Sequence, residues 1–182
     1  RALLRGQVFL RRPWAGGGSR GGMVRAARRG DLVFGGDKPS PPFWFWNRYN
    51  QQLLVSSRHL TEACADAIID RLEALSPAML QAYPSTAFTL AGLLERRNRR
   101  LRIPLILTAS EPLYQHQRAL ITERLGVKIM DMYGMAERVA FATECEHGEL
   151  RLNSDYSHVE IVDEEGRPTR DYGYVVGTAF HN

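Results

Sequence analysis

Between residues 79 and 132 the sequence alternates twice between a short apolar run and a longer amphipathic stretch, and few folds accommodate that pattern. Met79 to Tyr83, Ile103 to Thr108 and Val127 to Met132 are dominated by apolar side chains and are too short for helices. The stretches between them carry helix signals. Ser85 stands where it can cap a helix whose Phe88, Ala91 and Leu94 make an apolar stripe. Pro112 stands where a helix start tolerates a missing N–H, and Gly126 where the next helix should end. Strand, helix, strand, helix, strand is the mark of parallel strands joined by crossover helices, because parallel neighbours cannot be linked by a tight turn. The expected fold class is α/β: a partial doubly wound parallel sheet with crossover helices, followed by a mixed β section.

That β section is expected at Leu150 to Asn153, Ser157 to Val162 and Tyr174 to Phe180, with a turn at Glu164-Glu165-Gly166. Upstream, Thr61 is placed to cap a helix with Cys64, Ile68, Leu72 and Leu75 on one face, ended by Pro77. Gln51 to Ser57 reads as a strand. Phe43-Trp44-Phe45-Trp46 admits two readings, the alternation of a half-buried strand and a stacking platform for a ligand. Residues 1–50 are otherwise irregular. They hold a possible strand at Leu3 to Leu10, a Gly/Arg-rich stretch from Arg11 to Gly30, the apolar run Leu32-Val33-Phe34 and a Pro-rich segment from Lys38 to Pro42. Residues 1–60 are thus expected to be irregular β and loop, 61–135 a βαβαβ nucleotide-binding core, and 136–182 the mixed β section, all of one incomplete domain. The chain begins at Arg1 rather than Met and ends on a strand with nothing after it, so both ends are expected to be cuts in a larger protein.

Charge narrows the function classes. The formal net charge is +4, but residues 1–30 hold eight arginines and no acid; of 24 Lys and Arg this leaves 16, against 20 Asp and Glu, in the other 152 residues. The body is slightly acidic. Clustered arginines can neutralise phosphates, yet within Arg11 to Gly30 Trp14 is the one aromatic that could stack on a base, so a solvated basic loop is preferred to a nucleic-acid arm. Two cysteines, Cys64 and Cys145, imply no disulfide framework, no run is long enough to span a bilayer, and the cytoplasm is the default location. Cys145-Glu146-His147 offers at most half a zinc site and reads as an ordinary turn in preference to one, while His59 and His116 read as surface or packing residues. Oligomeric state is not legible.

In parallel α/β sheets the carboxyl ends of the strands share an edge where ligands bind. The three strand ends here lead into Tyr83-Pro84-Ser85, Ser110-Glu111-Pro112 and Asp131-Met132-Tyr133-Gly134-Met135-Ala136-Glu137, the last expected just beyond its strand. Tyr133 offers a face for stacking, Gly134 a close backbone approach, Asp131 an acceptor for an amine, and Glu137 a hard oxygen ligand for Mg²⁺. The same residues also read as an ordinary turn with a surface Glu137–Arg138 pair.

Tyr133-Gly134-Met135-Ala136-Glu137-Arg138 resembles the Tyr-Gly-x-Thr/Ser-Glu motif of the adenylate-forming, acyl-CoA synthetase-like ligases, and Ser110-Glu111-Pro112-Leu113 resembles their Gly-Glu-Pro-Leu segment. Tyr83-Pro84-Ser85 and the run from Asn153 to Asp163 are similar to the branch of phenylacetate-CoA ligase and CapK-type capsular polysaccharide proteins. The resemblance spans about Trp46 to Asn182, and more loosely Leu3 to Leu10. It implies part of the large N-terminal domain of an enzyme that joins a small carboxylic acid to ATP as an acyl-adenylate, with Mg²⁺, and passes the acyl group to a thiol, usually coenzyme A. It further implies that Tyr133 stacks on adenine and that Asp131 meets its amino group. Ser110, Glu111 and Pro112 would make a second adenine wall, Met132 and Gly134 to Ala136 the nucleotide strand and turn, Glu137 the metal ligand, and Tyr83 to Ser85 the acyl side.

The sequence departs from that family at several points. No Ser/Thr/Gly-rich phosphate loop is present, nor the family's ribose-binding aspartate or its catalytic lysine, so this polypeptide as it stands is not expected to catalyse. Ala136 replaces a hydroxyl residue, a loss of about 0.5 to 1.5 kcal/mol for one hydrogen bond, and Ser110 replaces a glycine. These changes leave open a non-catalytic relative that serves as a binding or scaffolding module in polysaccharide biosynthesis.

Overall fold

A computed structural model describes residues 31–34, 40–126 and 128–180. The strand expected at Leu3 to Leu10, the Gly/Arg-rich stretch and Lys38-Pro39 lie outside the described residues. Those described fall into two compact units, divided between residues 129 and 130.

The first unit runs β1 (Asp31–Phe34), β2 (Trp44–Asn47), β3 (Gln52–Val55), a 3-10 turn at Ser57–His59, α1 (Glu62–Leu75), β4 (Met79–Ala82), α2 (Pro84–Arg96), β5 (Leu105–Ala109) and α3 (Gln115–Leu125). Its five strands take the order β2-β3-β1-β4-β5. β1 lies parallel to both β3 and β4, and β4 parallel to β5, while β2 closes one edge antiparallel to β3. The α/β class with crossover helices is therefore what forms. Leu32-Val33-Phe34, in a stretch expected to be irregular, supplies the central strand. On β2, Trp44 and Trp46 pack against the core and Phe45 stays 47% exposed, the alternation of a half-buried strand.

Helix α2 buries Ala87, Leu90, Ala91, Leu93 and Leu94, and α1 buries Ala65, Ile68, Ile69 and Leu72. These stripes, with Leu53 and Val55 of β3, Leu80 of β4, Ile106 of β5 and Ile121 and Leu125 of α3, make one core. Burying a Leu or Ile fully contributes about 1.5 to 3 kcal/mol each, so these faces hold the helices on the sheet. Cys64 and Leu75, expected on the α1 core face, sit at its margin.

Helix ends differ from the sequence expectation in an instructive way. Thr61 is the N-cap of α1 but its hydroxyl makes no cap bond, and Ser85 lies inside α2, whose N-cap is Tyr83 with Pro84 at the first helical position. Pro112 precedes α3 by a short loop; the cap there is Tyr114, whose N–H donates to Gln117 Oε1 at 3.1 Å. Gly126 ends α3 as expected, with φ 67° and its N–H on the Thr122 carbonyl at 2.8 Å. Ser76 ends α1 in the same left-handed conformation, φ 48°, ahead of Pro77.

Arg96, Arg97 and Arg99, at and just beyond the end of α2, face the acids of α1. Arg97 bonds Asp66 at 2.6 Å and Glu62 at 2.7 Å, and Arg99 bonds Asp70 and Glu73, both at 2.7 Å, so the run grips an acidic stripe on α1. Hydrogen bonds from Arg97, then from Arg96, hold the Glu62 carboxyl below its ordinary range. Donating to Asp66 and Glu62 raises Arg97, and donating to Glu73 and Asp70 raises Arg99.

The second unit is antiparallel β. It contains most of β6 (Lys128–Gly134), then β7 (Phe141–Glu144), β8 (Leu150–Leu152), β9 (Ser157–Val162) and β10 (Tyr174–Ala179). β8, β9 and β10 lie where strands of the β section are expected, and β9 pairs with β10; β7, a strand the sequence did not lead one to expect, pairs with β6 and β8. Cys145 to Gly148 is the β7–β8 turn, and among the described residues no group of three or more His, Cys, Asp or Glu is placed to hold a metal. Asp163 opens the expected turn before β10. It accepts the Arg167 N–H at 2.8 Å and the Glu165 N–H at 3.1 Å, and the first of these chiefly pulls its carboxyl below the usual range.

Candidate functional site

Parallel pairing of Ala82 with Thr108 puts the ends of β4 and β5 at one edge of the first unit's sheet, and the two segments expected there meet. Ser85 N–H donates to Glu111 Oε2 at 3.0 Å, a bond across 26 residues of sequence. Its origin lies in the α2 start. Tyr83 has no short polar side chain to cap with and Pro84 has no N–H, so the first free donor of the helix is that of Ser85. A carboxylate from the neighbouring strand end takes it, where the helix dipole also favours negative charge. The pair fixes Tyr83-Pro84-Ser85 against Ser110-Glu111-Pro112. Tyr83 is left 50% exposed, Ser110, Glu111 and Pro112 are exposed, and Pro84 is buried.

Ser110 has φ 70°. This is the left-handed region in which a Cβ costs about 1 to 2 kcal/mol, and it explains why a glycine would suit the position. Beyond it, Tyr114 stacks on His116 with ring centroids 5.9 Å apart, and His116 meets the edge of Phe88 on α2 at 5.5 Å. His116 is thus a packing residue that joins the starts of α2 and α3. His59 likewise stacks on Phe43 at 4.2 Å, with Nδ1 2.9 Å from Ser56 Oγ.

In the second unit Asp131, Met132, Tyr133 and Gly134 lie within β6 rather than beyond it. Tyr133 pairs with Ala142 and Gly134 with Phe141, and Tyr133 remains 38% exposed. Gly134 is extended within β6, and no left-handed turn conformation requires a glycine there. Met135, Ala136 and Glu137 form the turn that follows, closed by Arg138 N–H on the Met135 carbonyl at 3.1 Å. Arg138 itself is left-handed, φ 59°. Glu137 is exposed and, among the described residues, pairs with no cation; the surface pair with Arg138, the alternative reading of these residues, does not form. A residue the sequence reading passed over stands behind this strand. Glu144 of β7 is 7% exposed and accepts the Asp131 N–H at 2.9 Å. A carboxylate facing inward at the end of an apolar strand, Phe141-Ala142-Thr143-Glu144, is the signal that could have found it.

An exposed carboxylate at a turn can bind Mg²⁺, which takes one or two protein carboxylates together with phosphate oxygens. An exposed tyrosine face at a strand end can stack on a base. A cleft lined by Asp163, Glu164, Glu165, Asp171, Tyr172 and Tyr174 also lies in the second unit and includes none of the strand-end residues.

No protein-family model matches the chain, and no curated protein matches it. Solved structures do. An open conformation of 2-hydroxyisobutyryl-CoA ligase in complex with 2-HIB-AMP and CoA is 19% identical, with a TM-score of 0.58 over 86% of this chain and 42% of that one. VinN in complex with L-aspartate is 18% identical, with a TM-score of 0.56 over 84% and 40%. A long-chain-fatty-acid-CoA ligase, FadD1, from Archaeoglobus fulgidus is 14% identical, with a TM-score of 0.52 over 70% and 28%. The chain spans less than half the length of each of these, and at such identities the likeness is one of fold alone, an α/β fold shared with part of each of these proteins. Among the described residues no helix is long and apolar enough to cross a membrane.

Proposed function

We propose that this chain is part of an ATP-dependent ligase that activates a small carboxylic acid as its adenylate and passes the acyl group to a thiol, coenzyme A by preference, in the manner of phenylacetate-CoA ligase and the CapK-type proteins. One observation carries the reading. The three segments that resemble the family's motifs fall, in order, at the ends of β4, β5 and β6 in a chain whose fold matches structures of acyl-CoA ligases. The reaction needs ATP and coenzyme A, which favours the cytoplasm.

The residues divide the work as follows. The motif resemblance assigns Tyr133 to stacking on the adenine, Asp131 to its amino group, and Ser110, Glu111 and Pro112 to nucleotide binding. Glu111 keeps its own segment in register with the acyl side at Tyr83 to Ser85 through the Ser85 N–H. Met132 and Gly134 to Ala136 shape the strand and turn, and Gly134 admits close backbone approach. Glu137 is the ligand for Mg²⁺, which when bound offsets the negative charge of the phosphates. Such a reaction depends on positioning and electrostatic stabilisation more than on protein nucleophiles.

The test is acid-dependent pyrophosphate release by the polypeptide extended at both ends, across a panel of aryl and fatty acids, with Glu137→Ala as control. Release that an acid stimulates and Glu137→Ala abolishes is expected. A folded protein that releases none, or releases as much with Glu137→Ala, refutes the reading. Ala136, which lacks the motif's hydroxyl, favours the second reading of a non-catalytic binding module, and ATP binding without turnover would be its result.

A further inference from the structure

Gly177 of β10 lies directly against the segment that follows the Tyr133–Glu137 motif. A methyl group on Gly177 would sit 2.1 Å from the Val139 carbonyl oxygen, 2.6 Å from its carbonyl carbon and 2.9 Å from its Cβ. No side chain fits at such distances, and the obstacle is backbone, which cannot rotate aside. Gly177 does not have a positive φ, so the requirement for glycine here is one of space alone. Val139 follows Arg138, whose left-handed φ of 59° is unfavourable for a residue with a Cβ. One turn hydrogen bond, from Arg138 N–H to the Met135 carbonyl, closes the turn on its other side. Ala140, next along, is 1% exposed. The turn bearing Glu137 is therefore a strained segment pinned at its downstream end by contact with the β9–β10 hairpin.

We propose that Gly177 is a positioning residue for Glu137: the β9–β10 hairpin clamps the Met135–Val139 turn through the Val139 carbonyl and so fixes where the carboxylate is presented. That Glu137 then meets a metal–nucleotide rests on the function proposed above; the clamp itself does not.

The clamp can be read without any ligand. Arg138–Val139 is a trypsin-sensitive bond inside the clamped turn, and native-state cleavage there reports how often the turn opens. Gly177→Ala is expected to speed cleavage of this bond by about tenfold or more, as overpacking against immovable backbone forces the two segments apart. Gly166→Ala is the control. It strains the β9–β10 turn at φ 78° but meets nothing within 4 Å, and is expected to change cleavage at Arg138 far less. Equal acceleration by both variants, or none by Gly177→Ala, overturns the clamp. Should Gly177→Ala not fold, hydrogen exchange on the unsubstituted protein decides: Val139 and the β10 amides should open together, and free exchange at Val139 beside a protected β10 refutes the proposal. Mg·ATP should slow cleavage at Arg138 in the unsubstituted protein. If it does not, the functional reading fails while the clamp, read by the variants, stands.

Discussion

Removing the Glu111 carboxylate should weaken the first unit in a way that can be divided into two parts. Glu111 takes the place of an N-cap residue for α2: it accepts the Ser85 N–H at 3.0 Å because Tyr83 and Pro84 leave that donor unserved. Replacing an N-cap acceptor by alanine costs about 0.5 to 2 kcal/mol, typically ~1. Glu111→Ala should then lower the urea midpoint by about 0.5 M, taking a slope of roughly 2 kcal/mol per M for a domain of this size. Glu111→Gln keeps an acceptor oxygen and loses only the charge facing the helix N-terminus, a term of about 0.3 to 1 kcal/mol. That charge term should vanish at about 1 M NaCl, where screening acts within ~3 Å, whereas the alanine deficit should persist. The assay is urea unfolding followed by far-UV circular dichroism at low and high salt. An alanine variant as stable as the parent would refute the cap, and a glutamine deficit unmoved by salt would refute the dipole argument.

Three other outcomes follow from the same geometry. Ser110→Gly should leave stability unchanged or raise it by up to about 1 kcal/mol, since relief at φ 70° is partly offset by unfolded-chain entropy, while Ser110→Val should destabilise; thermal melts would show the order. Glu62 is held below its ordinary 4.5 by Arg97 and Arg96, so its contribution is present above about pH 4.5 and lost as pH falls through the lowered folded value. Arg97→Gln should therefore flatten the acid limb of stability, and an unaltered limb would count against the Arg97–Glu62 pairing. Leu94→Ala, at a fully buried position of α2, should cost about 2 to 5 kcal/mol by urea unfolding, and a value under 1 would mean that the core seats the helix elsewhere.

The alternation of strand and helix from Met79 onward was legible because each signal is local: apolar runs, a Gly126 stop and a helical stripe at Phe88, Ala91 and Leu94. What escaped is what depends on distant partners. Thr61 and Ser85 look like caps by type, yet Ser85 is served by a carboxylate 26 residues away, which no local pattern displays. Leu32-Val33-Phe34 is only a short run among glycines and prolines, and its central place in the sheet comes from β3 and β4 on either side. The acids at 62, 66, 70 and 73 recur at helical spacing beside the core stripe, and matching them to Arg96, Arg97 and Arg99 was within reach of the sequence. At the candidate site the residue types of Asp131 to Glu137 pointed to a strand end. That the strand continues through Gly134 is set by β7, which pairs with Met132 to Gly134.

Photolabelling with an azido-adenine nucleotide in the presence of Mg²⁺, followed by trypsin digestion, tests the central claim most directly. Cleavage after Lys128 and Arg138 releases Ile129 to Arg138 as one peptide that carries Asp131, Tyr133 and Glu137. The account predicts that the label falls on this peptide, on Tyr133 above all, and is displaced by AMP. Label confined to other peptides, or label on Ile129 to Arg138 that AMP does not displace, would contradict it.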